Sequence, residues 1–265
     1  MNRRGFLALV GTSTLASATR LHLPFEPLEH NVYKTHQQFQ KERPEIILRG
    51  DDYKQLKTLA QKIHNTKQTV GFGNFNLIGF DEMLKVGKNY SKVGAFTQQE
   101  LALFESIFYR KADDYGFYGE KVLTSMTDTI AKKETLKIPR TGHYLYKGEA
   151  INMYQKIQKD LGGDVVLTSG VRSIVKQMDL FLRKVIRSRG NISVATYSLA
   201  PAGYSFHGVG DFDVGKVGFG YRNFTDAFAK TDEFKRLIDS GYINIRYGKN
   251  NPFGVRYEPW HIKVV

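Results

Sequence analysis

Two short segments near the C-terminal end of the chain carry residue types that could hold and use a metal ion. The first is Ser205-Phe206-His207-Gly208-Val209-Gly210-Asp211-Phe212-Asp213, and the second is Glu258-Pro259-Trp260-His261. They offer two imidazoles, a carboxylate at fixed spacing from the first, and another carboxylate three residues before the last His. Two neutral imidazoles and one carboxylate bind Zn²⁺ at about 2.0–2.2 Å and leave a fourth position open. A zinc ion so held acidifies water, and a free Glu beside it can carry the proton to a leaving amine. His207, Asp213 and His261 are therefore the expected ligands, Glu258 the expected proton carrier, and a zinc hydrolase the expected class. An offset of three on a strand puts two side chains on opposite faces. A bend at Pro259 must therefore bring Glu258 and His261 to the same side. A lone buried His, or an Asp after Gly, is more often structural than functional. Glu258 beside the only Trp of the chain is harder to dismiss, because burying a carboxylate without a purpose is costly. His22, His30, His36, His64 and His143 have no comparable partners, and only His143, in Gly142-His143-Tyr144, deserves watching.

The elements that must position these residues follow from periodicity and punctuation. Asp51 and Asp52 can cap a helix with Leu56, Leu59, Ala60 and Ile63 on one face. Residues 68–95 are Gly-rich and read as loops with one short helix. Thr97-Gln98-Gln99-Glu100 is a capping box opening a helix with Leu101, Phe104, Ile107 and Phe108 inward. Residues 119–132 read as helical again, and 133–146 as a connector broken by Pro139 and Gly142. From about residue 147 a helix with Ile151, Tyr154, Ile157 and Leu161 stops at Gly162-Gly163. Residues 164–168 read as a strand. Ser173 caps a helix running to Gly190, with Met178, Phe181, Leu182 and Val185 apolar. Residues 205–215 read as a strand with Phe212 and Val214 on one face and Asp211 and Asp213 on the other. Thr231 caps a short helix ending near Gly241, and 242–247 and 260–264 alternate as two more strands. Helices followed by a small antiparallel sheet with flanking helices make an α+β fold. The expected division is an export signal over 1–18, a mainly helical accessory region over 19–146, and a metal-bearing core over 147–265.

The bulk composition narrows the partners. The 265 residues are 41% hydrophobic and 25% charged, ordinary for a globular protein. Lys and Arg number 39 against 26 Asp and Glu, a formal net charge of +13, but they are scattered rather than clustered. A solvated basic surface fits this better than a nucleic-acid footprint. There is no cysteine, which excludes disulfides, thiolate ligands and a Cys nucleophile. Arg3-Arg4, the apolar stretch 6–18 and Ala16-Ser17-Ala18 together read as a cleavable export signal, with the cut after Ala18. The stretch is too short to span about 30 Å of hydrocarbon, so no stable membrane insertion is expected after cleavage. Asn2-Arg3-Arg4-Gly5-Phe6-Leu7 resembles a twin-arginine signal, with a general secretory signal and an uncleaved anchor as the alternatives.

On these motifs the chain resembles the VanY-like zinc D-alanyl-D-alanine carboxypeptidases, whose metal site is shared with Hedgehog-type and lysostaphin-type peptidases. The family pattern is S-x-H-x-x-G-x-A-x-D followed by E-x-W-H. Ser205, His207 and Gly210 match its first half, and Glu258, Trp260 and His261 its second. Asp213 matches the metal-binding Asp if one residue is missing after Gly210, which puts Asp211 at the usual Ala position and makes Asp211 the alternative carboxylate ligand. Thr168-Ser169-Gly170-Val171-Arg172-Ser173 resembles the family's S-G-Y-R-S, with Val171 for Tyr, and Gln177 falls where the family often has Gln. The resemblance spans about 147–265. It implies a periplasmic or wall-associated zinc peptidase that hydrolyses peptidoglycan stem peptides. Arg172 would stabilise the oxyanion or anchor a substrate carboxylate, and Ser173, Gln177, Ser205 and Trp260 would line or brace the substrate site. A murein endopeptidase or LD-carboxypeptidase on the same scaffold, and a non-catalytic wall-binding module, are the competing expectations. A basic nucleic-acid binder is weaker still, since export argues against it.

Overall fold

The computed structural model describes residues 45–265. The expected signal over 1–18 and the first part of the expected accessory region, up to residue 44, with His22, His30 and His36, lie outside the described residues.

The first half is helical, as its apolar spacing predicts. Helix α1 (Gly50–Val70) buries Leu56, Leu59, Ala60 and Ile63. Short α2 (Phe72–Phe75) follows, and then α3 (Phe80–Asn89), which buries Phe80, Met83 and Val86. Residues 68–95 thus hold more helix than expected, because Phe80, Met83 and Val86 form an apolar stripe that their glycine-rich surroundings obscure. Helix α4 (Gln98–Tyr109) opens on the expected capping box: Thr97 accepts from the Glu100 amide while Glu100 accepts from the Thr97 amide. Its inward face is Leu103, Phe104, Ile107 and Phe108, with Leu101 only half-buried.

The helix expected over 119–132 does not form. The amides of Val122 and Leu123 donate to the Gly203 carbonyl instead, and the Lys121 ammonium lies 4.0 Å from the centroid of the Phe108 ring. Ser125 and Asp128 bond locally, the habit that makes such residues poor helix formers. The stretch expected as a connector contains a small hairpin, β1 (Thr135–Lys137) against β2 (Tyr144–Tyr146).

The second half is built on helix α5 (Glu149–Leu161), which stops at Gly162 with a positive φ of 76°. Three antiparallel strands follow in the order β3 (Val165–Ser169), β4 (Phe212–Lys216) and β5 (His261–Ile262). Helix α6 (Ile174–Arg187) is capped by Ser173, short α7 spans Ile192–Thr196, and α8 (Asp232–Asp239) is capped by Thr231. The strand expected over 205–215 is shorter, because Phe206–Gly208 makes a 3₁₀ turn first. Residues 242–247 contribute only an isolated bridge, Ile245 to Ile262, rather than a strand. Leu167, Phe212, Val214 and Ile262 from the sheet, with Trp260 just before β5, pack with Ile157 and Leu161 of α5 and Leu237 of α8. This is the expected mixture of helices and a small antiparallel sheet.

Helix α1 packs along α6. Asp179 of α6 is fully buried there, between Lys67 at 3.0 Å and Arg183 at 2.7 Å. No helix among the described residues is long and apolar enough to cross a membrane.

Candidate metal centre

The sheet register assembles the site. Asp213 on β4 pairs with Ser169 of β3 on one side and His261 of β5 on the other, and the β3–β4 register slips between Leu167 and Ser169. Because Phe212 and Val214 point into the core, alternation turns Asp213 to the opposite face. His207 arrives from the 3₁₀ turn that precedes β4. Glu258 reaches the same place through a tight turn: the His261 amide donates to the Glu258 carbonyl at 3.1 Å across Pro259 and Trp260. Pro259 sits where a β-turn favours proline, which supplies the bend that the spacing requires.

The donor set is oriented by a ring of partners. His207 Nδ1 lies 2.8 Å from the Gly170 carbonyl. A carbonyl only accepts, so Nδ1 carries the proton and Nε2 presents a lone pair. That Nε2 is buried, lacks a hydrogen-bond partner, and faces Asp213 Oδ1, equally unpartnered, at 3.2 Å. His261 Nε2 lies 3.0 Å from Asp211 Oδ2, leaving Nδ1 to face Asp213 Oδ1 and Glu258 Oε2, each at 3.6 Å. One ligand atom each from His207, Asp213 and His261 lies within 4.8 Å of the others, all three residues being buried. Two unpartnered acceptors 3.2 Å apart in a buried site repel each other unless something positive lies between them. The donor set, two nitrogens and one carboxylate oxygen, fits a zinc ion with an open position.

The other oxygen of Asp213, Oδ2, accepts from Arg172 Nη2 at 2.5 Å. Arg172 Nε donates to Ser169 Oγ at 2.9 Å, and Nη1 has only a long contact, 3.5 Å, to Gln177 Oε1. Gln177 is itself anchored by donating to the Ala200 carbonyl. Ser173 Oγ accepts from the Lys176 amide as a helix cap. Ser205 is buried at the head of the 206–208 turn. Trp260 is buried in the main core, edge-on to Phe224 and beneath the Arg256 guanidinium.

Asp211 is placed apart from the three converging ligands. It accepts from His261 Nε2, from Arg246 Nε at 2.6 Å and from the Val264 amide at 2.8 Å. Carboxylate partners of this kind orient metal-bound imidazoles. The role could not be read from the sequence, because Arg246 is remote from the motif and the pairing depends on where the chain end folds.

The charges are strongly biased. Burial, with Arg172 nearby, pushes His207 down to about 4, so its imidazole is neutral at neutral pH. Burial would lower His261 too, but the Asp211 and Glu258 carboxylates outweigh it and raise that ring to about 9. Burial would raise Asp213, yet His207, Arg172 and His261 hold it well below the usual carboxylate range.

Comparison with known proteins bears on the C-terminal part of the chain. Residues 145–265 match the family model of VanY, D-alanyl-D-alanine carboxypeptidase. No curated protein matches the chain. Among solved structures, the LD-carboxypeptidase LdcB is 27% identical, with a TM-score of 0.39, over 49% of this chain and 63% of its own. The chain thus spans less than two thirds of that relative. The D,D-pentapeptidase VanY from a VanB-type vancomycin-resistance cassette, solved with Zn(II), is 19% identical over 50% of this chain and 78% of its own, with a TM-score of 0.38. VanYB in complex with D-alanine-D-alanine is 21% identical over 50% of this chain and 77% of its own, with a TM-score of 0.37. The likeness rests on the family model and the motifs inside its span: residues 145–265 are similar to the VanY-like peptidase family.

Proposed function

We propose that this protein is a zinc-dependent peptidase that removes the terminal D-alanine of peptidoglycan stem peptides. The observation that carries the reading is the convergence of His207 Nε2, Asp213 Oδ1 and His261 Nδ1, with Glu258 Oε2 3.6 Å from the last. A Zn²⁺ ion held by these three residues would supply Lewis acidity at the scissile carbonyl and acidify a water. Glu258 takes the proton of the attacking water on its carboxylate and delivers it to the leaving amine nitrogen. Arg172 is fixed by Ser169 and Asp213 on two of its nitrogens. In this reading its Nη1, which has only the long contact to Gln177, stabilises the negative charge growing on the carbonyl oxygen. Gln177 positions that guanidinium, Ser173 fixes the start of α6 behind it, Ser205 contacts the peptide, and Trp260 backs the His261 wall.

Residues 19–146 act, in this reading, as an accessory region on the peptidase core, and the packing of α1 along α6 supports it. The motif Arg3-Arg4 with its apolar run supports export to the periplasm or wall, and the net charge of +13 suits an anionic polymer.

The test is mass spectrometry of purified pentapeptide and tetrapeptide muropeptides after incubation with zinc-loaded protein. Loss of one D-Ala from the pentapeptide alone is expected, together with inactivity of Glu258→Gln and loss of metal in His261→Ala. Trimming of the tetrapeptide alone would move the assignment to the LD bond. Metal-loaded protein that leaves both intact would refute the peptidase reading.

A further inference from the structure

A second cluster of unpaired polar groups lies beside Arg172, half of it supplied by residues that precede the family match. Its common member is Phe72, on α2, whose ring is about half exposed. The Lys176 ammonium lies 4.9 Å from the Phe72 centroid and 5.7 Å from that of Phe75. The His143 ring meets the same Phe72 edge-on at 5.3 Å. His143 is 8% exposed and its Nδ1 is buried without a hydrogen-bond partner. Lys176 is 6% exposed and makes no ion pair with any carboxylate among the described residues; both oxygens of Asp179, one turn on, are taken by Lys67 and Arg183.

The backbone ties this cluster to the metal centre. Asn76, fully buried, donates to the Gly142 carbonyl and accepts from the Ser173 amide, while the Val171 amide donates to the Tyr144 carbonyl. The loop that carries His143 is thereby clamped to the turn that carries Arg172. Gly142 has φ +75°, and a Cβ there would meet the Phe72 ring at 2.9 Å, so glycine is what lets the loop present His143 against that ring. His143 lies within electrostatic reach of Lys176, Arg172, Asp213 and His207.

A buried ammonium without an anion and a buried imidazole nitrogen without a partner are both expensive. Burial, then Arg172, holds Lys176 down at about 8, while burial keeps His143 neutral at about 4. At neutral pH the cluster therefore offers an ammonium and a neutral imidazole beside a guanidinium, with no acid of its own. The groups that handle the scissile bond all lie within 145–265, so a subsite half-built from Phe72 and His143 serves another part of the peptide.

We infer that Lys176 and His143, against the Phe72 ring, form a subsite for a free carboxylate carried by the substrate peptide upstream of its scissile bond. The inference rests on the peptidase reading above. Specificity of this kind comes from a charge-assisted hydrogen bond rather than from shape.

The test uses three synthetic pentapeptides ending in D-Ala-D-Ala: one with γ-linked D-glutamate, one with D-isoglutamine in its place, and one with D-glutamate and an amidated C-terminus. The full chain, loaded with zinc, is expected to cut the D-glutamate peptide with a kcat/KM about ten- to hundredfold above the D-isoglutamine peptide, the factor that a hydrogen bond to a charged group implies. Lys176→Met should bring that ratio near one through KM while leaving the D-isoglutamine peptide cut as before, and Lys176→Arg should restore it. His143→Asn should lower the ratio in part. Met suits the aromatic surroundings, and matching thermal transitions check that each variant folds. Equal cutting of the first two peptides by the unaltered protein, or an equal loss on both in Lys176→Met, overturns the subsite and leaves the peptidase reading standing. A Lys176→Met effect confined to the C-terminally amidated comparison places the bound carboxylate at the peptide end and overturns the upstream assignment. Failure to cut any of the three overturns the peptidase reading and the subsite with it.

Discussion

The proposed metal must compete with a proton on His261, and the size of that competition follows from the site. His261 is held at about 9 and His207 at about 4. At pH 7 His207 is already a free lone-pair donor, whereas His261 must surrender the Nδ1 proton that faces Asp213 and Glu258. Two pH units between 7 and 9 correspond to about 2.7 kcal/mol, or roughly a hundredfold in apparent affinity. Apparent zinc affinity should therefore rise about tenfold per pH unit between roughly pH 5 and 9 and level off above. The sign for the metal-free protein is the reverse. A ring raised above its unfolded value stabilises fully below about 6.5, and that stabilisation fades as pH climbs to 9. Competition with a chelator of known affinity, run across pH and corrected for the chelator's own protonation, reads the slope. Calorimetry in two buffers of different ionisation enthalpy counts the proton released. Asp211→Asn should move the plateau to lower pH, because the Asp211 carboxylate is the first group that raises His261. A flat affinity from pH 5 to 8, with no proton released, would refute the placement of His261 Nδ1 as a metal donor.

Other consequences are simpler to read. Glu258→Gln should retain one metal per chain and lose at least about 10²-fold in kcat, measured by metal analysis and product formation on the same sample. Asp179→Ala should cost roughly 2–3 kcal/mol in denaturant unfolding, less than a fully buried pair because Lys67 and Arg183 reach solvent. It should also make α1 more susceptible to limited proteolysis. Phe104→Ala, at a fully buried ring, should cost about 3–5 kcal/mol by the same unfolding assay. Gly170→Ala would put a Cβ 2.0 Å from the Tyr144 carbonyl oxygen. Since the Gly170 carbonyl holds His207 Nδ1, both metal retention and activity should fall, whereas the neighbouring Val171→Ala should leave the metal bound.

Legibility in the sequence varied with how local the signal was. Caps and apolar stripes are local, so Thr97, Ser173 and Thr231 marked their helices and the Gly162 stop was plain. Residues 119–132 carried helical spacing but were claimed by Gly203 and the aromatic surroundings of Lys121, contacts 80 or more positions away for the former. The 242–247 stretch alternates like a strand, yet it meets β5 only at Ile245 because β5 itself is two residues long. The His143 cluster was invisible for the same reason: Phe72, His143 and Lys176 are brought together only by the packing of α2 and the hairpin on α6.

The motif residues behave differently, and the one-residue contraction before Asp213 shows why. Spacing from His207 does not fix where Asp213 points. Its face is set by Phe212 and Val214 sinking into the core and by its pairing with Ser169 and His261. The 3₁₀ turn and Gly210, at φ +149°, can absorb a missing residue without turning that face. The contraction does change what precedes it. The position where the resembling pattern has Ala becomes Asp211, which reaches His261 Nε2 and Arg246 rather than the ligand cluster. A pattern that counts residues sees a defect there. A sheet that counts faces keeps its ligand and gains a carboxylate to orient the second imidazole.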